Sequence, residues 1–592
     1  MIRKIAFVGC CLAAFCCNTL AAPVPAKPVS SLSMVPAQCP IVLQVRGLDR
    51  AKGRLKTFLT AADAKWGALA AQSIDDALKN LPEGRKLQGL APNGPVFIAF
   101  SDLPKMGSVD PSFALIARVN SFKEFTEGLL TDEERKRLKV EPGGYQSVEI
   151  DNQLLFLMDR SDHAIVTFTK ESAEIFAKPF TALDAQMAKD LQEKFITSDV
   201  SAYVNMGTVI KVYGDKIRET RDQFLVLMNM AAAADPNSAE IAKKLYGGVF
   251  QLALDSDAVV VGVDFRPEAL ALSTQIRVGT DSETNEFFKA QKPTTLDKLS
   301  IMPRGQMMYV ASGGLSPETS KTLMLMNGGM AAGSERITKA IEELELAGGI
   351  KSYSTSNYPI ARMIVEEFQD APKALRATVG ILESLDDGAR FGSGYVKTKP
   401  EIKTGAESFR DIAWTSYRIV WDHEKFNEMP VGGDEAKKSA KKMLGDQTFG
   451  WLGISGNRLI EVQAKDWETA RGWLEAYFTG KGTIGSDTTP ESAAFRLTHQ
   501  AMPQPASLIS LADVGPIALL MAESMLPQIK AGTLFPFPVP APAELTPVKF
   551  TPSYLGFAAT LQAERLDFNI FVPASAGAEV NKIVNQFVMG GN

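Results

Sequence analysis

The chain holds three histidines, His163, His423 and His499, and two of them stand beside acids in ways that suggest proton transfer. In Arg160-Ser161-Asp162-His163-Ala164 a hydroxyl, a carboxylate and an imidazole are consecutive, the residue types of a nucleophile relay. Neighbours on a hairpin turn point in different directions, so this trio cannot close a relay by itself. Ser and Asp are also what such turns use. In Trp421-Asp422-His423-Glu424-Lys425 an imidazole lies between two carboxylates, the types of a general acid and base. On a strand Asp422 and Glu424 would share one face and His423 the other, so that chemistry would need partners from elsewhere in the chain. The histidines are far apart and none belongs to a metal-spaced pair. HExxH, CxxC and calcium-loop patterns are absent from the sequence.

Two further motifs fail on context. Gly480-Lys481-Gly482-Thr483-Ile484-Gly485 matches GxGxxG letter by letter, but a helical pattern precedes it where a phosphate cradle needs a strand. It reads as the flexible end of a helix that begins at Asp466. The Ser439 to Lys442 SxxK lies in a lysine-rich run suited to a solvated helix, and GxSxG does not occur. Met324, Met326 and Met330, after a helix cap at Ser316, read as core filling before an adaptable groove. No catalytic, cofactor-binding or metal-binding residue is assigned, and no cofactor is expected.

Such chemistry-poor elements must still fold something of 592 residues, which on length alone divides into roughly two to four domains. With 45% hydrophobic and 22% charged residues, the chain has the composition of a globular protein. A net charge of -5 without a basic face excludes a nucleic-acid surface. The densest basic stretch, Thr131 to Lys139, mixes acids with bases, and Thr131 with Glu134 fits a capping box. Met1 to Lys4 is positive, Ile5 to Cys17 is apolar and Asn18 to Ala26 is small, the grammar of a secretory signal. The expected cut follows Ala21, with Ala26 as the fallback, and the apolar run is too short to span a bilayer. Cys10, Cys11, Cys16 and Cys17 leave with the signal, so Cys39 remains alone, as a small buried residue. The expected location is secreted or periplasmic, with no transmembrane span in the mature chain.

The elements themselves are written twice. Pro36, Gly47 and Leu48 align with Pro303, Gly314 and Leu315 at one displacement, each set framing a strand, a Gly turn and a helix capped by Asp49 or Ser316. Phe156 to Lys170 aligns with Trp451 to Lys465 as a hairpin leading into a helix. Val259 to Val278 aligns with Tyr554 to Pro573, where Leu270, Leu272, Thr274 and Ile276 meet Leu566, Phe568, Ile570 and Val572. Period two marks strands with one face buried, as in an antiparallel sheet. The fold class is therefore α+β, two tandem copies of an antiparallel sheet with helices packed on one face, helices such as Glu219 to Tyr246 among them. A signal over 1–21 and a linker over 22–32 precede a first repeat over 33–293 and a second over 294–592. The second carries a Pro-rich insert over 532–552, an exposed extended loop that reads as a structural strap across the repeat before a presenter of Phe535 and Phe537 to a partner.

The signal, the proline-strand-helix opening and the hairpin-helix blocks give the chain a resemblance to large bacterial secreted or periplasmic proteins of a domain-of-unknown-function type. That resemblance implies no activity and carries over no functional residue. The expected function is an exported, non-catalytic binding or scaffold protein whose partner is an envelope protein or an apolar molecule. The alternative is a divergent extracytoplasmic hydrolase with a site assembled only in space, for which Asp422, His423 and Glu424 are the first candidates.

Overall fold

The computed structural model describes residues 31–79, 85–103, 112–231, 236–328, 335–358, 361–392, 394–428, 433–486, 488–530, 542 and 545–589. The expected signal, and most of the linker and of the Pro-rich insert with Phe535 and Phe537, lie outside them. The chain is α+β, 43% helix and 33% strand. It divides into two compact units, 1–219 with 252–282 and 220–251 with 283–592.

Ten strands build the sheet of the first unit: β1 (Ile41–Val45), β2 (Val96–Phe100), β3 (Phe113–Arg118), β4 (Lys139–Val140), β5 (Gln146–Ile150), β6 (Gln153–Arg160), β7 (His163–Thr167), β8 (Val200–Asn205), β9 (Ser256–Phe265) and β10 (Ala269–Val278). All pairings are antiparallel, in the order β10-β9-β8-β1-β2-β3-β7-β6-β5-β4. β-branched runs such as Ala258 to Val263 favour this pleat, and their alternation separates two faces. On one face Val42, Phe97, Ile116, Met158, Tyr203 and Val260 pack with Phe176 and Phe195. Those two come from helices Lys170–Ala177 and Lys189–Thr197.

The opposite face is covered in part. Val45, Ile98 and Phe113 meet Leu48 and Ala51 of helix Leu48–Ala62. Val148, Leu157 and Val166 meet Phe125 of helix Phe122–Leu129. Across β8, β9 and β10 the same face carries Val204, Val259, Val261, Val263, Leu272 and Ile276, all only partly buried. Helical side chains thus join clusters on both faces of the first sheet.

The second unit uses β11 (Met308–Gly313), β12 (Gly349–Asn357), β13 (Ala361–Phe368), β14 (Arg390–Phe391), β15 (Gly394–Phe409), β16 (Ile412–Trp421), β17 (Gln447–Ser455), β18 (Arg458–Ala464), β19 (Leu508–Asp513), β20 (Tyr554–Gln562) and β21 (Arg565–Pro573). Their order is β21-β20-β19-β11-β12-β13-β18-β17-β16-β15-β14. With the two-residue β14 set aside, this is the same path through the strands as in the first unit. Register follows too. The row Leu43, Ile98, Leu115, Val166 in the first unit answers to Val310, Ser354, Ile364, Glu461 in the second. Leu43 to Val310 has the spacing of Gly47 to Gly314, and Val166 to Glu461 that of Phe156 to Trp451.

Local signals resolve in detail. Ser316 Oγ accepts from the Thr319 amide and Pro317 opens helix Pro317–Gly328, as a cap followed by proline should. Asp49, by contrast, is not a cap: Gly47 is the N-cap residue and Asp49 sits in the first turn. The aligned glycines also differ, since Gly47 is extended while Gly314 has φ +65°. A Cβ on Gly314 would lie 1.7 Å from the Lys292 carbonyl oxygen, so only glycine fits there. Thr131 and Glu134 form the expected capping box, and Glu134 is further held by Arg85 at 2.7 Å with both side chains buried. Cys39 is fully buried, and burial pushes its thiol up to about 12. Helices Met206–Ala231 and Pro236–Asp255 form where helical cover is expected, but Val226, Leu227, Met230, Leu245 and Val249 on them remain exposed.

Asp199 joins helix to sheet in the first unit. It is fully buried, receives Arg54 at 2.9 Å and Arg50 at 3.2 Å from helix Leu48–Ala62, and accepts the Phe265 amide at 2.9 Å. Asp199→Ala would leave that amide without its acceptor and two guanidinium groups without theirs. A loss of about 3–5 kcal/mol is expected, read as a lower urea midpoint; a loss under about 1 kcal/mol would mean the three contacts carry no stability.

Candidate functional site

Five polar side chains stand on one face of the second sheet, each fixed by strand register. β13 contributes Arg362 and Glu366, β18 contributes Glu461 and Gln463, and β16 contributes Tyr417. Arg362 pairs in register with Gln463, Ile364 with Glu461, and Tyr417 is joined to Gln463 through Gly450 of β17. Gly450 clears the way between them, since a Cβ there would meet the Tyr417 ring at 2.2 Å. Period two therefore aims all five to the same side.

Their contacts converge on one atom. Glu461 Oε1 accepts from Arg362 Nη2 at 3.3 Å, from Tyr417 Oη at 2.5 Å and from Gln463 Nε2 at 2.7 Å. Gln463 Nε2 also reaches Tyr417 Oη at 2.6 Å. Arg362 Nε is buried and donates to no partner among the described residues. Burial is the first cause that pushes Glu366 up to about 7, and the Glu461 charge adds to it, against the Arg362 guanidinium and a bond from Ser352. Burial likewise holds the Tyr417 phenol well above its ordinary range. Yet Arg362 keeps 35% of its side chain accessible and Glu461 17%. These groups are desolvated by surrounding protein and yet keep part of their surface accessible.

The rest of that face sets the chemistry. Next to Glu366 and Arg362 the rows continue through Ser352, Ser354 and Ser356 of β12, and Ser312 of β11. Beyond them lie Leu508, Ser510, Leu555, Phe557, Phe568 and Ile570 on β19, β20 and β21, all partly buried. The Phe557 and Phe568 rings are 5.9 Å apart. A charged patch, a hydroxyl strip and an apolar strip thus share one pleated surface.

At the corresponding register positions the first unit carries Phe113 for Arg362, Ala117 for Glu366, Val148 for Tyr417, Val166 for Glu461 and Phe168 for Gln463. All are apolar, and the Phe113 and Phe168 rings meet at a tilt, 5.2 Å apart, where the second unit has Arg362 and Gln463. This architecture closes without a polar cluster at that place, so the cluster is an addition that folding does not demand.

The residues flagged from sequence fall elsewhere. Asp422 precedes a 3-10 turn, His423–Glu428, rather than lying on a strand, because the Asp422 carboxylate accepts the Glu424 amide at 3.1 Å and turns the chain. His423 Nε2 donates to the Gly445 carbonyl at 2.8 Å, at the end of helix Gly433–Leu444, and Glu424 pairs with Lys437. The three do not converge. Ser161 sits in the turn at φ +59°, outside any relay. His163 does meet a hydroxyl, Ser31 Oγ at 2.9 Å from Nε2, with Asp162 Oδ1 at 2.7 Å from Nδ1. His163 has no exposed surface, however, and its Nδ1 makes no hydrogen bond of acceptable geometry to Asp162. Burial holds this imidazole below its usual range. The trio fastens the turn Ser31–Met34 to the β6-β7 hairpin. Gly480 ends helix Trp467–Thr479 in the left-handed region, and Ile484 and Gly485 donate to the Met302 and Ser300 carbonyls, so the GxGxxG run is a pinned helix end. Ser439 and Lys442 lie on helix Gly433–Leu444, where Lys442 pairs with Glu523.

No family model matches the chain, and no curated protein matches it. Among solved structures it is similar to TP0453, at 10% identity in crystal form III and 11% in crystal form IV. The TM-score is 0.22 for each, over 43% and 42% of this chain and 82% and 81% of the other. A likeness at that score carries no argument about fold or activity.

The Glu366 carboxyl has a definite pH signature. Its folded value near 7 lies above the ordinary carboxyl value, so the folded state holds the extra proton and stability falls as pH rises from about 4.5 to about 7, then levels. Glu366→Gln removes that slope. Melting curves from pH 5 to pH 8 should show the variant gaining on wild type as pH rises, by several degrees at pH 8; parallel curves would place the proton elsewhere.

Proposed function

We propose that the chain is an exported, non-catalytic binding protein made of two copies of one α+β unit, and that it takes an amphipathic small molecule on the sheet face of the second copy. Export is supported by the leader-like residues 1–26. Among the described residues no helix is long and apolar enough to cross a membrane. Duplication is supported by the shared strand path and by register rows whose spacings equal those of the sequence alignment.

The binding reading is carried by one observation: Arg362, Glu366, Tyr417, Glu461 and Gln463 occupy positions that are apolar in the first unit, beside a partly buried apolar strip. Ligand sites combine apolar walls with a few convergent polar groups and perturbed carboxyls, and both are present here. The five side chains include neither imidazole nor thiol, and Ser352 meets Glu366 as a bond donor to its carboxyl. A recess that binds and does not react is what these groups support.

A neutral apolar dye, N-phenyl-1-naphthylamine, tests this directly with the full purified chain. Saturable fluorescence enhancement is expected, weakened at least tenfold by Phe557→Asp, which puts a charge on the apolar strip. A matched substitution on the exposed helix, Leu227→Asp, should leave it unchanged. Unsaturable binding, or equal binding by all three proteins, would overturn the reading, and circular dichroism would show that each variant is folded.

A further inference from the structure

The ligand's head group can be narrowed by charge balance, an inference that rests on the reading just given. Among the described residues the cluster holds two carboxyl groups, Glu366 and Glu461, and one guanidinium, Arg362. Arg362 is committed to Glu461 at 3.3 Å. The remaining donors, Tyr417 and Gln463, end on Glu461 Oε1 as well, which leaves Oε2 open to a further donor. Among the described residues Glu366 receives a bond from Ser352 and the more distant field of Arg362, and it lies diagonally across the register from Glu461, a separation of roughly 7–8 Å between such positions in an antiparallel pair. Once Glu366 ionises, above about pH 7, two carboxylates face one guanidinium and the cluster lacks one positive charge.

We propose that the recess takes the cationic head of an amphiphile, an alkylammonium group set between Glu366 and Glu461, with its chain lying along Leu508, Phe557 and Phe568. An ammonium supplies what Glu366 and Glu461 Oε2 each lack, a charged hydrogen-bond donor, and the serines of β12 accept from it as well. A carboxylate or phosphate head would face two like charges, with its only cation already engaged. In the first unit the corresponding positions, Phe113, Ala117, Val148, Val166 and Phe168, offer no charge at all, so the preference belongs to the second unit.

Displacement of bound N-phenyl-1-naphthylamine by a set of twelve-carbon compounds below their micellar concentrations separates head group from chain. Dodecylammonium should displace the dye at least tenfold more effectively than dodecanoate, with dodecanol between them. In Glu366→Gln, which keeps the shape and removes the charge, the ammonium advantage over dodecanol should shrink at least fivefold. Displacement by all three compounds with equal strength, or best by dodecanoate, would overturn the cationic head while leaving the amphiphile site standing. An advantage unchanged in both Glu366→Gln and Glu461→Gln would do the same. Failure of the dye to bind at all would instead remove the amphiphile site.

Discussion

Register in the two antiparallel sheets is the constraint on which everything else depends. With a side-chain period of two, a slip of one residue would turn every core residue of a strand to the other face, so rows such as Leu43, Ile98, Leu115, Val166 are fixed as soon as one face is buried. Phe97, Ile116, Tyr203 and Val260 do that in the first unit, under Phe176 and Phe195. Once the rows are fixed, a polar residue on the second face cannot be moved into solvent by sliding. Arg362, Glu366, Tyr417, Glu461 and Gln463 are therefore held together by the same pairing that makes the core.

Holding them together is costly. Taking two carboxylates and a guanidinium out of water carries a desolvation penalty that their mutual attraction repays only with close geometry, and well-packed apolar residues often serve stability as well or better. The first unit shows that alternative in place: the Phe113 and Phe168 rings pack at a tilt where Arg362 and Gln463 stand, and Val166 joins a core cluster where Glu461 stands. The second unit compensates by convergence. Three donors meet Glu461 Oε1, and Trp421, Leu452, Leu459 and Ile419 build a core beside the cluster with Ile337 and Ile341. What convergence does not settle is Glu366, whose carboxyl is pushed up first by burial and then by the Glu461 charge.

Much of this was legible in the sequence, and the exceptions have physical causes. Period two in Leu270 to Ile276 and the turn residues at Asp159 to Asp162 predicted strands and hairpins that form where expected, because local pattern and tertiary pairing agree there. Asp49 misled because a capping side chain must lie at the residue before the first turn, and Gly47 holds that place. Asp422, His423 and Glu424 misled because a carboxylate that bonds its own downstream amide bends the chain, which removes the strand geometry assumed for them. The cluster itself was hidden by distance along the chain, since Arg362 and Glu461 are separated by 99 positions and Tyr417 and Glu461 by 44. A signal existed nonetheless. The alignment of Phe156 to Lys170 with Trp451 to Lys465 already sets Val166 against Glu461 and Phe168 against Gln463, and an acid facing a valine in otherwise matching strands is a break in pattern.

Under the proposed duplication, that break acquires a direction. In the second copy the polar rows run beside a core on the same face, where Tyr417 itself packs with Ile419, Leu452 and Leu459. Polar residues there gain a shared orientation from register and a desolvated setting from the surrounding fold, the two conditions under which a few charges discriminate between ligands. The first copy keeps the apolar version of the same rows, packed against helix Phe122–Leu129 and helix Leu48–Ala62. The two units thus differ in these rows: the first fills them with apolar side chains, and the second carries the electrostatic cost of the charged cluster.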